Sequence, residues 1–346
     1  MLQKKFNYRK ERARASYFLP YYPTQRQKLD KAGTVQGSVQ LWHSQMDGSS
    51  DALVLNDVDH EHYAYLFLSK REEQKTIDEP GAIEGINNLV DSYAIQNEML
   101  KIKSSLGDPI GWKMGACSTA AQNMLRLSKP FRAPLFGNKF FSAPTTIADA
   151  SIEHVCLLEA EFLFVLGKSL PARNAPYTAE EAWDAVAYIA PAIEVVGNRI
   201  VGKALDASNI YQKVADSGSN VSCVVGTLLP SEIFSKRLND VAVKFMVNGR
   251  EVSAGSGANV CGDPINALVL LANELVRDGV SLHPNDWQGG QSGGGPGLAA
   301  GEVVMSGAAT LIFHGKHFQY GDHVVAGFQG PFGNVEVQIG GNAAKM

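Results

Sequence analysis

Three glutamates and one lysine are the residues of this chain whose types and spacing could do chemistry. In the run Leu157 to Gly167, LLEAEFLFVLG, strict alternation puts Leu158, Ala160, Phe162, Phe164 and Leu166 on one face of a strand. Glu159 and Glu161 share the opposite face, roughly 7 Å apart at the rise of a strand. A strand this apolar ordinarily carries Val or Thr on its second face, and adjacent carboxylates repel unless a cation or a proton lies between them. Glu194, within Pro191-Ala192-Ile193-Glu194-Val195-Val196-Gly197, is a third acid in a similar setting. Three carboxylates form a hard-oxygen set suited to Mg²⁺ or Mn²⁺, with positions left open for a substrate.

The lysine lies in Gly111-Trp112-Lys113-Met114-Gly115. On a strand Trp112 and Met114 point one way and Lys113 the other, between two glycines whose missing side chains are expected to leave room for a ligand. A lysine among apolar residues needs a carboxylate partner, from the protein or from a bound acid; the alternative is a surface lysine lying along its own stem.

Several elements must position these groups. Asp51 to Leu68 and Leu89 to Leu106 read as helices, with Ser69 to Gly81 as a charged loop between them. Thr178 and Glu181 form a capping box ahead of a helical stripe at Ala182, Ala185, Val186 and Ile189. Asp263, Pro264 and Gly279 delimit a helix with Leu268, Leu271, Ala272 and Leu275 turned inward. Val241 to Val247, Val303 to Gly307, His323 to Phe328 and Val335 to Ile339 read as strands. The expected fold is α+β, a mixed α/β arrangement with a β-rich C-terminal core and flanking helices. Its expected divisions are a basic arm over 1–50, a helical region over 51–110 and a main domain over 111–346. Gly289 to Gly297 lacks the Lys-Ser/Thr of a phosphate-binding loop and reads as a spacer, with a mobile lid as the alternative.

The 346 residues are 45% hydrophobic with a formal charge of −4, enough to bury a substantial core and no basis for binding nucleic acid or a membrane. No apolar run is long enough to span a bilayer, which predicts a soluble protein of the cytoplasm. The first 31 residues carry nine Lys or Arg against two acids, Glu11 and Asp30. That composition suggests either a mitochondrial targeting segment or an arm bracing an oligomer. Cys117, Cys156, Cys223 and Cys261 are scattered among apolar neighbours and are expected as free, buried thiols.

GWKMG, LLEAEFLFVLG, PAIEVVGNRI, VADSGSN, NGREVSAGSGANVCGDPINAL and EVVMSGAAT follow one another as in the 2-keto-4-pentenoate hydratase and 4-oxalocrotonate decarboxylase group of the fumarylacetoacetate hydrolase superfamily. The resemblance covers about Leu89 to Ile339. It implies a metal-dependent lyase, Glu159, Glu161 and Glu194 as ligands of Mg²⁺ or Mn²⁺, Lys113 as the active-site lysine, and a homo-oligomer. It also implies that Arg199, Asp216, Ser219 and Ser306 line the pocket, although Arg199 and Asp216 could equally be a structural ion pair. The expected reaction is hydration of a small 2-hydroxydienoate or 2-oxo-alkenoate. Decarboxylation of a 2-oxo acid and hydrolysis of an acylpyruvate are the enzymatic alternatives, and a non-catalytic ligand-binding relative is the alternative of another class. The hydrolases commonly pair a His with a Glu, and His154, five residues before Glu159, is out of phase with its face. Two departures stand near the site. Lys129-Pro130-Phe131-Arg132-Ala133-Pro134 replaces a Pro-acid-Phe-Gly segment, and Ala215-Asp216-Ser217-Gly218-Ser219 replaces Ala-Asp-Asn-Ala-Ser. Arg132 is expected either as a surface arginine or as a receptor for a second substrate carboxylate.

Overall fold

Two twelve-residue strands of mostly apolar side chains pair antiparallel at the centre of the molecule, and both carry acids. The computed structural model describes residues 59–78, 81–147, 155–200, 207–282, 296–310 and 321–340, within a unit spanning Asp57–Met346. Its helices are α1 (His60–Glu73), α2 (Leu89–Met99), α3 (Thr119–Leu125), α4 (Ala179–Ala185), α5 (Ile210–Ala215) and α6 (Pro264–Asp278). The strands of the first half are β1 (Pro109–Gly115), β2 (Phe131–Phe136), β3 (Phe140–Ser142), β4 (Thr145–Ile147), β5 (Val155–Leu166), β6 (Leu170–Pro171) and β7 (Val186–Gly197). Those of the second half are β8 (Asn220–Val225), β9 (Leu229–Pro230), β10 (Ala242–Val247), β11 (Arg250–Ser256), β12 (Gly297–Leu298), β13 (Val303–Ala308), β14 (His323–Phe328) and β15 (Gly333–Ile339).

Among the described residues, one mixed sheet runs β2-β1-β13-β5-β7-β8-β3, with β9 added alongside β7. A second runs β11-β10-β14-β15-β4, and β12 pairs with β6. The expected α+β class holds.

One face of the large sheet presents Trp112, Met114, Leu158, Ala160, Phe162, Phe164, Leu166, Ile193 and Val195 to the main core. Phe162 makes edge-on ring contacts with Phe328 and Phe332, tying this sheet to the second one. Helix α6 seals part of the same core with Ile265, Leu268, Leu271, Ala272 and Leu275, all buried. Each large aliphatic side chain there contributes about 1.5–3 kcal/mol, and Leu271→Ala would cost about 2–5 kcal/mol. Asp263 caps that helix by accepting from the Ile265 amide, and Gly279 ends it in a left-handed conformation, as the sequence predicts.

Three boundaries differ from expectation. Helix α1 runs to Glu73, because Ala64, Phe67, Leu68 and Arg71 fall on one buried stripe that carries the helix five residues into the segment expected as a loop. The earlier part of that expected helix lies outside the described residues. Helix α2 stops at Met99, seven residues short of Leu106. Helix α4 keeps its capping box but ends at Ala185, and Val186 and Ile189 belong to β7. The apolar run from Val186 onward is β-branched and buried on both faces, so tertiary pairing with β5 overrides its helical spacing. Residues 1–50, His154, and the Gly289 to Gly297 run up to Gly295 lie outside the described residues.

Candidate metal centre

Glu159 and Glu161 project from the face of β5 opposite Ala160 and Phe162, and Glu194 stands directly across from Glu159 in the antiparallel register of β5 and β7. Directly opposed residues bring their Cβ atoms to about 5 Å. One carboxylate oxygen from each of the three can be chosen so that all lie within 4.8 Å of one another. Glu161 and Glu194 have no solvent exposure, whereas Glu159 is half-buried.

Lys113 joins them. Its Nζ lies 3.0 Å from Oε1 and 3.2 Å from Oε2 of Glu194. In sheet order β13 and β5 separate β1 from β7, so the two residues stand three strand spacings apart, about 14 Å on a flat sheet. The Lys113–Glu194 ion pair therefore ties β1 to β7 across the polar face of the sheet. The turn ahead of β8 closes against the same region, where a side chain on Gly218 would collide with the Lys113 stem. The expected carboxylate partner of Lys113 is therefore Glu194.

The expectation of open space beside Lys113 is met on one flank only. A side chain on Gly111 would strike the Val303 carbonyl, and one on Gly115 the Phe131 ring. Both glycines admit neighbouring protein to close approach, and of the two only Gly115 borders a cavity. A volume of roughly 310 Å³ opens beside Glu159, lined by Met114, Cys117, Ala121, Met124, Ala308 and Thr310 among others.

A β-bulge orients the third ligand candidate. The pairing of β13 with β5 slips between Met305 and Ala308, and Gly307 sits there at φ 99°, a conformation that favours glycine. Its amide turns to donate to Glu161 Oε2 at 2.9 Å. Ser306 Oγ fixes the bulge, accepting from the Phe162 amide at 3.1 Å and donating to the Gly307 carbonyl at 3.2 Å. The other oxygen of Glu161 is buried without a hydrogen-bond partner. Cys117, buried and free, donates to the Ser306 carbonyl behind the bulge. Cys223 is also buried and free, and Cys261 is half-buried and free.

Burial, and then the charge of Glu194, pushes the Glu159 carboxyl up to about 7. The same causes hold Glu161 well above the usual carboxylate range. Burial pulls the Lys113 ammonium down, but the surrounding glutamates, Glu194 foremost, outweigh it and keep the lysine charged. Fully ionised, the three acids and one ammonium leave two formal negative charges in a site mostly shut from water. Unpaired buried charge of that size is costly without a cation.

The expected pocket residues divide. Ser306 holds the bulge, as described. Asp216 is buried and accepts from two guanidinium groups, Arg199 at 2.9 Å and Arg71 at 3.1 Å. Ser219 is buried in the turn that follows. Arg132 meets neither expectation of a surface residue nor of a pocket cation. It is 1% exposed on β2, lies 4.1 Å from the Tyr93 ring centroid, and faces Glu274 and Asp278 of α6 at 3.8 and 3.5 Å. Three contributors escaped the sequence analysis. Arg71 falls in the segment expected as a charged loop, and Asn220, which donates to Glu194 Oε1 at 2.9 Å, closes the recognised VADSGSN motif without having been given a role. Gly307 could have been marked by its place on an otherwise apolar strand.

Residues 115–340 match the family described as fumarylacetoacetate (FAA) hydrolase, C-terminal. The chain is 34% identical over 222 residues to a 2-keto-4-pentenoate hydratase of Paraburkholderia xenovorans (strain LB400), covering 64% of this chain and 74% of the relative. It is 26% identical over 244 residues to a 4-oxalocrotonate decarboxylase of Pseudomonas putida, covering 70% and 82%. A solved structure of 4-oxalocrotonate decarboxylase from Pseudomonas putida G7, complexed with magnesium and adipate, superposes with a TM-score of 0.68 at 22% identity, covering 83% of this chain and 99% of that one. That likeness is one of fold. With the family match spanning well over half of its length, the chain belongs to the fumarylacetoacetate hydrolase family.

Proposed function

We propose that this protein is a divalent-metal-dependent lyase that adds water to a small 2-oxo-alkenoate, the tautomer of a 2-hydroxydienoate. The observation that carries this reading is the convergence of Glu159, Glu161 and Glu194 with the Lys113 ammonium beside a mostly apolar cavity. The donor set fits Mg²⁺ or Mn²⁺. It is all oxygen, it leaves a net charge that a divalent cation would cancel, and it includes a buried Glu161 oxygen with no other partner. Bound there by the three glutamates, the metal would supply a Lewis acid for the oxygens of a 2-oxo acid and for enolate charge.

The chain's own residues prepare the rest. Glu194 is held between Asn220 and Lys113, and Glu161 by the Gly307 amide, so both carboxylates are fixed before any ligand arrives. Lys113 serves this reading as the catalytic residue, a fixed positive charge that receives the substrate carboxylate and stabilises negative charge developing beside it. Arg199 and Asp216 act from behind Glu194 through their mutual pairing, while Ser219 and Ser306 shape the two turns that face the site. Ala121, Met124 and Ala308 give the substrate's hydrocarbon end an apolar wall.

Decarboxylation is the second reading, supported by the likeness to 4-oxalocrotonate decarboxylase. A diacid would need a cation for its second carboxylate. Among the described residues lining the cavity there is no Lys, Arg or His, and Arg132 is engaged with Glu274 and Asp278, which favours hydration. Calorimetric titration with oxalate, a chelating mimic of the enolate, tests the site in the presence and absence of Mg²⁺ or Mn²⁺. Binding should require the metal and vanish in Glu159→Ala. A wild-type protein that takes up neither metal nor oxalate would refute the proposal.

A further inference from the structure

The buried stripe of α1 ends in a charge. Arg71, 3% exposed, lies beyond the N-terminal end of the residues that match the family, yet it reaches the back of the three-glutamate cluster. One terminal nitrogen of its guanidinium donates to the carboxylate and the carbonyl of Asp216, at 3.1 and 3.3 Å. The other donates to the Asn220 carbonyl at 2.7 Å. Asn220 in turn gives its side-chain amide to Glu194 Oε1, the oxygen that also meets Lys113. The same N-terminal segment grips Arg199 by its backbone, since the Ile77 amide donates to the Arg199 carbonyl at 2.6 Å.

Two observations make this more than packing. A guanidinium forks to two partners in fixed geometry, so Arg71 sets Asp216 and Asn220 relative to one another in a way that a single hydrogen bond could not. Arg71 and Arg199 also share one carboxylate, Asp216, which leaves an excess positive charge directly behind Glu194. That charge opposes the mutual repulsion of the three glutamates.

We infer that Arg71 is a positioning residue for the metal centre, acting on Glu194 through Asn220, so that the helical N-terminal segment completes a site whose candidate ligands all lie within the matched domain. The inference rests on the metal reading above. It makes α1 part of the working unit, because a chain starting at β1 would keep the glutamates and lose the group that orients one of them.

The test is a double-mutant cycle read by Mn²⁺ titration calorimetry on the full chain, with circular dichroism confirming the fold of each variant. Arg71→Met and Asn220→Ala should each weaken Mn²⁺ binding about 10–100-fold, the range for groups that orient a metal ligand. The double variant should be little weaker than either single one, since both break the same link. Wild-type affinity in folded Arg71→Met, or losses that simply multiply, would overturn the inference while leaving the metal site standing. Should Arg71→Met not fold, Arg71→Lys decides, because it keeps the charge and loses the fork: weakened binding supports the inference and unchanged binding overturns it. If the wild type itself binds no Mn²⁺, the metal reading fails first and takes this inference with it.

Discussion

Replacing Glu159 by Gln should make the metal-free protein more stable and the metal-bound protein less so. In the folded chain the Glu159 carboxyl is pushed from its ordinary 4.5 up to about 7, by burial first and by the charge of Glu194 second. A folded pKa above the unfolded one means that the native state holds a proton the unfolded chain has released. Below about pH 4.5 both states are protonated and the group costs nothing. As pH rises towards 7 the penalty grows, and above 7 it is complete, about 3 kcal/mol for a displacement of this size. Gln cannot ionise, so Glu159→Gln should gain that amount near pH 8 in the presence of a chelator and almost nothing at pH 4.5. At roughly 2–4 °C per kcal/mol the midpoint should rise on the order of 5–10 °C. With Mg²⁺ or Mn²⁺ in hundredfold excess over its dissociation constant the wild type should recover about 2.7 kcal/mol, and the variant far less. Thermal melts at several pH values, each with chelator and with metal, measure all four quantities. A metal-free variant that is less stable than wild type at pH 8, or whose advantage does not change with pH, would refute the electrostatic reasoning.

Because metal binding must displace protons from Glu159 and Glu161, affinity for Mn²⁺ should rise with pH up to and beyond about 7; a flat titration profile between pH 6 and 8 would contradict it. Lys113→Met should lower turnover of a 2-hydroxydienoate by 10²-fold or more while leaving metal binding intact or tighter, since it removes a competing cation; assays of ultraviolet absorbance loss and calorimetry separate the two effects. Gly307→Ala should weaken metal binding and destabilise the fold by about 1–3 kcal/mol, because an added methyl would meet Cys117 Sγ at 2.7 Å on a backbone already at φ 99°; urea unfolding checks the second part.

The acids were legible because β structure has a period of two, and a charge that breaks an apolar alternation is conspicuous on either face. Glu159 and Glu161 stood out for that reason, and the strand that carries them runs as read. Helix α6 was equally plain, since its cap, its first-turn proline and its terminal glycine each act locally. What escaped was settled by partners distant in sequence. Val186 and Ile189 fit a helical stripe and became strand because β5 was there to pair with them. The glycines around Lys113 suggested vacancy, but Val303 and Phe131 take most of that space and only Gly115 borders the cavity. Arg71 looked like one of many charges in a polar stretch, and only the arrival of Asp216 and Asn220, 145 and 149 residues onward, explains its burial.

The bulge at Gly307 also dictates when the centre can exist. The amide that steers Glu161 is supplied 146 residues further along the chain, and Lys113 and Glu194 lie 81 residues apart. Contacts between residues so distant in sequence are slow to form. During synthesis the three glutamates emerge long before the strand that orders them, so a nascent chain holds loose carboxylates with no preference for one ion. The Gly307 amide reaches Glu161 only with β13 in place between β1 and β5. The ordered centre thus requires β13 in place, and a chain cut short before Ser306 should bind Mn²⁺ far more weakly than the full chain, which titration calorimetry on the two checks.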